Sequence, residues 1–285
     1  MFIFKKVTDL QLFVKNRKKE GKKIGFTPTM GALHEGHMSL ISLSNEAADI
    51  SICSIFVNPT QFNEKEDLIK YPRPIENDIQ LLYANGCDAL FLPEVEEVYP
   101  DDLESVELDL GQLDKVMEGS FRPGHFAGVV QVVKRLIDIV LPDKLLMGQK
   151  DFQQFTIIQH MINELKIPTE LVVCPIKRMP NGLAMSSRNV RLSDEGRERA
   201  VLLSKTLEKA KHFVETSLRS DVEKWAIKEL SVPGFEPEYF TIVDGNTLQS
   251  FERFSERNYA VACVACWHEG VRLIDNMILK KEENK

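Results

Sequence analysis

The sequence has 285 residues, of which 43% are hydrophobic and 28% charged, and its formal net charge is −7 at pH 7. This size and apolar fraction are typical of a globular protein with one large core or two smaller ones. The acidic balance argues against a nucleic-acid surface, and no stretch approaches the roughly 18 continuous apolar residues of a membrane span. The first apolar run is too short for a signal peptide, so we expect a cytoplasmic protein with no membrane or nucleic-acid partner.

Helical and strand patterns alternate along the first 175 residues. Thr8 and Gln11 form a capping-box pattern that predicts a helix ending at Gly21. The predicted strands are KKIGFTPT, ISICSIFV, CDALFLP, KLLMG and TELVVCPI. The predicted helices between them are HMSLISLSNEAAD, the segment from Pro74 to Gly86, GVVQVVKRLIDIV and DFQQFTIIQHMINEL. Repeated β-α-β alternation of this kind predicts an α/β fold with a Rossmann-like, doubly wound parallel sheet.

The pattern changes after Pro175. Residues 193–230 are charged and helical, while EYFTIVDGNTLQS and YAVACVACW are typical of strands around an Asp-Gly turn. We therefore predict a domain of residues 1–175 and a second, smaller C-terminal α+β domain of residues 176–285. This second domain would act as a lid.

Five cysteines lie mostly in apolar runs, which predicts that they fill the core. Cys263 and Cys266 form a CxxC pattern, which also occurs in metal and redox sites. Because they lie three residues apart on a predicted strand, their side chains should point to opposite faces. The core interpretation is therefore favoured over a shared metal.

The stretch TPTMGALHEGH, residues 27–37, follows a predicted strand directly. In open parallel sheets, ligands bind beyond the carboxyl ends of the strands. Gly31 and Gly36 allow the backbone to approach a ligand, and the N-terminus of the following helix attracts phosphate. His34 and His37 are near enough to share one side of a helical turn, where imidazole N–H groups stabilise phosphate charge. By itself the stretch leaves open a nucleotide site, a metal site and a solvated turn.

Further motifs narrow these alternatives. The HxGH element of residues 34–37 resembles the signature of the nucleotidyltransferase superfamily, which includes class I aminoacyl-tRNA synthetases and adenylyltransferases. PTMGALHEGH, SIFVNPTQF, YPR, RPGHFAGV, GQKDFQQ and MSSRN follow one another in this order, and RLIDN occupies residues 272–276. Together they resemble the pantoate-β-alanine ligase (pantothenate synthetase) family.

The resemblance implies ligation of pantoate and β-alanine in two steps, with ATP as the activating substrate. Pantoate would form pantoyl adenylate and pyrophosphate, and β-alanine would then displace AMP. The resemblance also implies Mg²⁺ with the ATP phosphates and a homodimer. One alternative is another adenylate-forming or nucleotidyl-transferring enzyme of the superfamily, although the acidic charge and MSSR in place of a lysine-rich loop count against tRNA. A catalytically silent nucleotide-binding protein is the other, and it is disfavoured by the retention of His34, His37, Lys150 and Arg188 together.

The family pattern assigns catalytic roles on the ATP phosphates to His37, His34 and Lys150. His37 is the family's nominal proton donor, but electrostatic stabilisation is its expected first role, because a pyrophosphate group that carries Mg²⁺ needs little protonation. The ATP-binding candidates as a whole are Met30, Gly31, Ala32, Leu33, His34, Glu35, Gly36, His37, Gly148, Gln149, Lys150, Asp151, Lys177, Met185, Ser186, Ser187 and Arg188.

Individual positions of the nucleotide set carry further expectations. Arg188 offers planar donors to phosphate oxygens, and MSSR resembles the superfamily's flexible phosphate-binding loop. Lys177 would contact ATP through its backbone, and Asp151 would cap a helix and orient Lys150. Many family members carry Glu where this chain has Gln149, which puts a metal or ribose role for that position in question.

The resemblance assigns two glutamines to the second substrate. Gln61 and Gln154 would bind pantoate, and Gln61 would also lie where β-alanine arrives. Arg122 and His125 could line the cleft, but Arg-Pro-Gly is also a plain turn before a helix, so neither is assigned a catalytic role. The protein ligands of any metal are unknown at this stage. Loops from two domains would close over the substrates and exclude water.

Overall fold

The computed structural model describes residues 1–61, 69, 71–101, 103, 105–214 and 216–282. Residue 62, the last of the SIFVNPTQF motif, lies outside them. The chain forms two compact units. The first comprises Met1–Leu110, Gly119–Gly148 and Ile157–Pro175, and the second comprises Gly111–Glu118, Gln149–Thr156 and Ile176–Lys285. Residues 111–118 and 149–156, which we expected in the first domain, thus belong to the second unit. The role of the second unit as a lid stays a prediction.

Six strands form the sheet of the first unit. They are β1 (Phe2–Phe4), β2 (Ile24–Thr29), β3 (Ile50–Ile55), β4 (Ala89–Phe91), β5 (Lys144–Gly148) and β6 (Glu170–Cys174). All neighbours are parallel, in the order β1-β4-β3-β2-β5-β6. The chain reverses its direction across the sheet at β2 and β5, so the switch point of this doubly wound fold lies at the carboxyl ends of these two strands. The predicted Rossmann-like sheet is confirmed.

Helices cover this sheet, and its central strands are buried as their continuous apolar runs predict. The helices up to residue 164 are α1 (Val7–Lys19), α2 (Glu35–Ala47), α3 (Ile75–Ala84), α4 (Val95–Val98), α5 (Met117–Phe121), α6 (His125–Val140) and α7 (Phe152–Glu164). Phe26 on β2, Ile52 on β3 and Leu145 on β5 are fully buried. Burial of one such side chain contributes about 1.5–3 kcal/mol to stability.

The capping-box prediction for α1 is wrong. The helix begins at Val7 with Lys6 at its N-cap, and no side chain of the N-cap residue bonds to the helix. Instead, Glu97 from α4 accepts a hydrogen bond from the Val7 N–H at 2.9 Å and pairs with the Lys6 Nζ at 2.6 Å. A carboxylate that is distant in sequence therefore satisfies this helix end. The predicted stop at Gly21 is confirmed, with φ of +77° just beyond the helix.

The second unit packs helices on an antiparallel sheet. Its strands are β7 (Phe235–Asp244), β8 (Tyr259–His268) and β9 (Val271–Lys281), in that order, and its helices are α8 (Asp194–Ala200), α9 (Leu202–Ala210) and α10 (Arg219–Leu230). Leu207, Ala226, Ile242 and Val264 are fully buried between these layers. The predicted α+β character is confirmed.

Two features of the second unit differ from the sequence analysis. Strand β9 was not predicted. The Asp-Gly pair does not make a tight hairpin, because β7 ends at Asp244 and β8 begins only at Tyr259. The Asp244 carboxylate instead accepts hydrogen bonds from the N–H groups of Asn246 and Thr247, both at 3.0 Å, which starts a longer connection.

All five cysteines are free and buried, which confirms their predicted place in the core. Burial raises the pKa of Cys87 and of Cys266 to about 11 and that of Cys53 and Cys263 further. The described helices include none with the length and apolar character of a membrane span.

Candidate active site

The loop after β2 leaves the sheet through a tight turn. Thr29 ends the strand, and its Oγ1 donates to the Ser54 carbonyl at 2.7 Å and accepts from the Gly31 N–H at 3.2 Å. Gly31 has φ of +81°, and a Cβ at this position would lie 3.0 Å from both Asp78 Oδ2 and Ile55 Cγ2. Conformation and space therefore both require glycine here.

A buried carboxylate holds the next two residues of this loop. Asp78, from the first turns of α3, accepts hydrogen bonds from the N–H of Ala32 at 2.9 Å and of Leu33 at 2.8 Å. Burial raises the pKa of Asp78, and the two N–H donors oppose that shift. Ala32 has φ of +50°, which is strained for a residue with a Cβ. No motif in the sequence points to Asp78 directly; its nearness to the YPR motif, within seven residues, is its local signal.

His34 and His37 lie side by side at the start of α2. Their ring centroids are 4.1 Å apart, at an interplanar angle of 43°. His34 is the N-cap residue; its Nδ1 accepts from the Gly36 N–H at 3.1 Å, and the His37 Nδ1 accepts from the His34 N–H at 3.3 Å. The expected proximity of the two rings on the first helical turn is confirmed.

These two hydrogen bonds fix the tautomers of the rings. A ring nitrogen that accepts a backbone N–H carries no proton, so the proton of each neutral imidazole lies on Nε2. Both rings lie at a helix N-terminus, where the helix dipole favours negative charge. Glu35 and Gly36 form the first turn of the same helix. An anionic ligand such as a phosphate suits this arrangement.

Gln61 lies next to this loop in a buried network. It ends a 3₁₀ turn (Pro59–Gln61) that follows β3. Its Nε2 donates to the Met30 Sδ at 3.0 Å, and its Oε1 accepts from the Asn58 Nδ2 at 3.2 Å. Asn58 is held in turn by the Tyr99 hydroxyl, which donates to Oδ1 at 2.9 Å. The structure thus brings Met30 and Gln61 together, and it adds Asn58, which the sequence analysis did not single out although it lies within the same VNPTQF motif.

The first residues of α6 pack against the 3₁₀ turn that ends at Gln61. The His125 Nδ1 lies 3.0 Å from the Gln61 carbonyl oxygen and must carry a proton to donate to it. A Cβ on Gly128 would come within 2.6 Å of the Thr60 carbonyl oxygen, so only glycine lets the helix approach this closely. The RPGHFAGV motif therefore shapes the backbone around Gln61.

The GQKD motif belongs mainly to the second unit. Gly148 ends β5 in the first unit, and Gln149, Lys150 and Asp151 lie in the second. The Lys150 Nζ lies 4.0 Å from the Asp151 Oδ1, at the limit of an ion pair. Asn276 on β9 donates from Nδ2 to the carbonyl oxygens of Gln149 and Lys150, both at 2.9 Å. The capping role predicted for the Asp151 side chain stays a prediction.

The two neighbouring glutamines of α7 have different environments. Gln153 is buried, and its Nε2 donates to the carbonyl oxygens of Leu113 at 2.7 Å and of Val116 at 2.9 Å. Gln154, the predicted pantoate ligand, is half-buried. Gln153 therefore ties residues 111–118 to the second unit, while the side chain of Gln154 is left more accessible.

The segment that contains MSSR is a regular turn in this structure. Ser186 caps a 3₁₀ turn (Ser187–Arg191) by accepting the Arg188 N–H at 3.2 Å. The Met185 N–H donates to the Lys177 carbonyl at 3.0 Å, so the two candidate regions of this segment lie together. Arg188 is partly exposed at the start of the turn.

The described residues contain no group of three or more His, Cys, Asp or Glu side chains that could hold a metal ion. Mg²⁺ usually keeps several waters and takes substrate phosphates with one or two carboxylates as ligands. Asp151, beside Lys150 and half exposed, is a suitable single carboxylate among the candidate residues. These residues fit a metal ion that arrives with ATP as part of the substrate.

Comparison with known proteins identifies the family. The model of the pantoate-beta-alanine ligase family matches residues 2–278. The chain belongs to this family. It is 46% identical over 282 residues to a pantothenate synthetase of Bacteroides fragilis, which covers 99% of this chain and 100% of the relative. A pantothenate synthetase of Porphyromonas gingivalis is 47% identical over 278 residues, with 97% and 99% covered. The chain is therefore a ligase.

Solved structures agree with this assignment. Pantothenate synthetase from Thermus thermophilus matches with a TM-score of 0.90 and 36% identity, covering 98% of this chain and 100% of that one. Pantoate-beta-alanine ligase from Francisella tularensis, in complex with beta-gamma ATP and beta-alanine, matches with a TM-score of 0.79 and 35% identity over 98% of each chain. The expected fold class and family are confirmed.

Proposed function

We propose that this ligase joins pantoate and β-alanine to form pantothenate, with ATP activating pantoate as pantoyl adenylate. The observation that carries this proposal is the pair of neighbouring imidazoles of His34 and His37 at the N-terminus of α2, the helix that follows the switch-point strand β2. Imidazole N–H groups at this place suit the α- and β-phosphates of ATP, where negative charge shifts when the bond between them breaks.

In the first step, a pantoate carboxylate oxygen attacks the α-phosphorus of ATP, and the bond to the pyrophosphate oxygen breaks. The pyrophosphate group keeps that electron pair. His34, His37 and Lys150 stabilise the increased negative charge on the phosphates, which is the main contribution that a protein makes to such a transfer. Imidazole N–H groups can provide this stabilisation without transferring a proton.

The family resemblance supports the remaining nucleotide contacts of the proposal. Backbone and side-chain groups of Met30 to His37 surround the phosphates, and Gly148 to Asp151 contribute from the end of strand β5 and the residues after it. Lys177 acts through its backbone, whereas Met185, Ser186, Ser187 and Arg188 contact the triphosphate. Mg²⁺ bound with ATP would neutralise phosphate oxygens that the incoming carboxylate must approach, and Asp151 is the candidate carboxylate that would hold it.

Pantoate binds through Gln61 and Gln154. The Gln61 Nε2 donates to a thioether sulfur, which is a weak acceptor. A carboxylate or hydroxyl oxygen of pantoate is a stronger acceptor and would replace the Met30 Sδ as the partner of this donor. Asn58 keeps hold of the Gln61 Oε1 and so fixes the direction of the donor.

In the second step, the amine of β-alanine attacks the acyl carbon of pantoyl adenylate, and the bond to the AMP oxygen breaks. The nitrogen loses a proton as the amide forms, and AMP leaves with the electron pair. Exclusion of water is needed in this step, because the mixed anhydride would otherwise hydrolyse. A homodimer in the cytoplasm, without nucleic-acid or membrane partners, is part of the same proposal.

An AMP-release assay with each substrate omitted in turn tests the proposal. AMP should form only when ATP, pantoate and β-alanine are all present, whereas exchange of labelled pyrophosphate into ATP should require pantoate but not β-alanine. Exchange that depends on an amino acid instead of pantoate would identify another adenylate-forming enzyme. ATP binding without any exchange would indicate a silent nucleotide-binding protein. Either result would contradict the proposal.

A further inference from the structure

The RLIDN motif of β9 contains a buried polar pair, Asp275 and Asn276, to which the proposed reaction assigns no role. Asn276 is only 2% exposed, and asparagine is disfavoured within strands. Its side chain makes three hydrogen bonds, all to residues of the GQKD motif. Nδ2 donates to the carbonyl oxygens of Gln149 and Lys150, both at 2.9 Å, and Oδ1 accepts from the Gln149 Nε2 at 3.1 Å.

We propose that Asn276 is a positioning residue for Lys150: by holding the carbonyl groups of Gln149 and Lys150, it fixes the backbone from which Lys150 reaches the ATP phosphates. This inference rests on the phosphate-binding role proposed for Lys150. Asn276 itself does not contact the substrate. It acts from a strand about 126 residues away in sequence.

The direction of the two carbonyl groups matters for an anionic ligand. In a trans peptide the C=O and N–H point in opposite directions. Because both carbonyls point to Asn276, the N–H groups of Lys150 and Asp151 point away from it. If the carbonyls turned outward, their negative ends would oppose the same phosphate that the Lys150 ammonium attracts. The amide of Asn276 prevents that rotation.

A buried ion pair fixes Asn276 in turn. The Asp275 carboxylate accepts two hydrogen bonds from Arg178, at 2.6 and 3.0 Å, and one from the Asn276 N–H at 2.8 Å. Arg178 also donates to the Gly182 carbonyl at 3.2 Å. Burial raises the pKa of Asp275, while Arg178 and, more weakly, Lys150 oppose that shift.

Gln149 determines which way the Asn276 amide faces. Only an NH₂ group can donate to two carbonyl oxygens, so Oδ1 must face Gln149, and Gln149 must donate to it. A glutamate at position 149 could only accept hydrogen bonds. It would oppose Oδ1 or turn the amide away from the carbonyls. In this chain, Gln149 and Asn276 form a matched pair that needs no metal or ribose contact to explain it.

A double-mutant cycle with Lys150→Ala distinguishes positioning from a general contribution to folding. Pantoate-dependent pyrophosphate exchange is measured for the full chain with MgATP. Asn276→Ala should lower the exchange rate roughly 10- to 100-fold, since misplacement of a binding group by about 1 Å costs that much. In the Lys150→Ala background the same substitution should lower it less than about threefold, because the group that it positions is gone. Equal losses in both backgrounds would overturn the proposal.

Two control variants distinguish a loss of positioning from a loss of folding. Leu273→Ala removes core packing from the same strand; its melting temperature should fall while its ATP KM stays unchanged. If Asn276→Ala fails to fold, Asn276→Ser tests the same contact, because serine keeps a small polar side chain but cannot donate to both carbonyl oxygens; its ATP KM should rise severalfold while its pantoate KM does not. An unchanged ATP KM in Asn276→Ser would also count against the proposal. If Lys150→Ala alone leaves exchange unchanged, the role of Lys150 in the proposed function fails instead.

Discussion

Asp78→Asn should weaken ATP binding by releasing the loop that leads to the histidine pair. Asp78 accepts the N–H groups of Ala32 and Leu33 at 2.9 and 2.8 Å. An amide keeps at most one of these bonds and sets an NH₂ group against the other N–H. Loss of one hydrogen bond to a charged acceptor costs about 1.5–3 kcal/mol. The neutral amide avoids part of the burial cost that raises the pKa of Asp78. The net loss in unfolding free energy should therefore be about 1–2 kcal/mol.

The functional effect follows from the strain in this loop. Ala32 holds a φ of +50° while the Asp78 carboxylate accepts its N–H, and without that bond the backbone relaxes. If this loss of about 1–2 kcal/mol destabilises the nucleotide-bound conformation of the loop relative to its unbound conformation, the KM for ATP rises about 5- to 30-fold.

Pyrophosphate exchange at varied ATP and saturating pantoate measures the effect of Asp78→Asn, and urea unfolding measures its stability. Glu76→Gln, on the exposed face of α3, is the matched carboxylate-to-amide control and should change neither quantity. An Asp78→Asn protein that loses stability with an unchanged KM for ATP would refute the reasoning, as would a rise in the KM for pantoate alone.

Three further outcomes are expected. His37→Ala should lower pyrophosphate exchange roughly 10²- to 10³-fold by removing one phosphate donor, with a circular dichroism spectrum like that of the parent. The Ser193 N–H and hydroxyl lower the pKa of Glu269, so its stabilisation is present above the unfolded value of 4.5 and lost as pH falls through the folded pKa. The difference in melting temperature between the parent and Glu269→Gln should accordingly shrink below pH 4.5; a constant difference would contradict this. Ellman's reagent at pH 8 should label no cysteine in the native protein, since burial raises the pKa of Cys87 and Cys266 to about 11, and all five only after unfolding.

Much of the fold could be predicted from local pattern. The apolar run KLLMG coincides with β5, and Pro74 and Gly86 flank α3, because a continuous apolar run or a chain-breaking residue acts within one element. β1 and β9 could not be predicted in the same way. β1 has only three residues, and β9 contains Asp275 and Asn276 at buried positions, which break the apolar pattern of a strand.

The same distinction between local sequence pattern and tertiary contact applies to the candidate site. By itself, the sequence determined which chemical groups are present and which are neighbours along the chain: the two histidines on one helical turn, the glycine at the strand end, and the ordered motifs of the family. Only the tertiary structure decided how those groups are held. Asp78 reaches Ala32 across 46 residues and Asn276 reaches Lys150 across 126. A hydrogen bond depends on distance in space, and a side chain that bonds to backbone atoms leaves no pattern in the sequence of its partner.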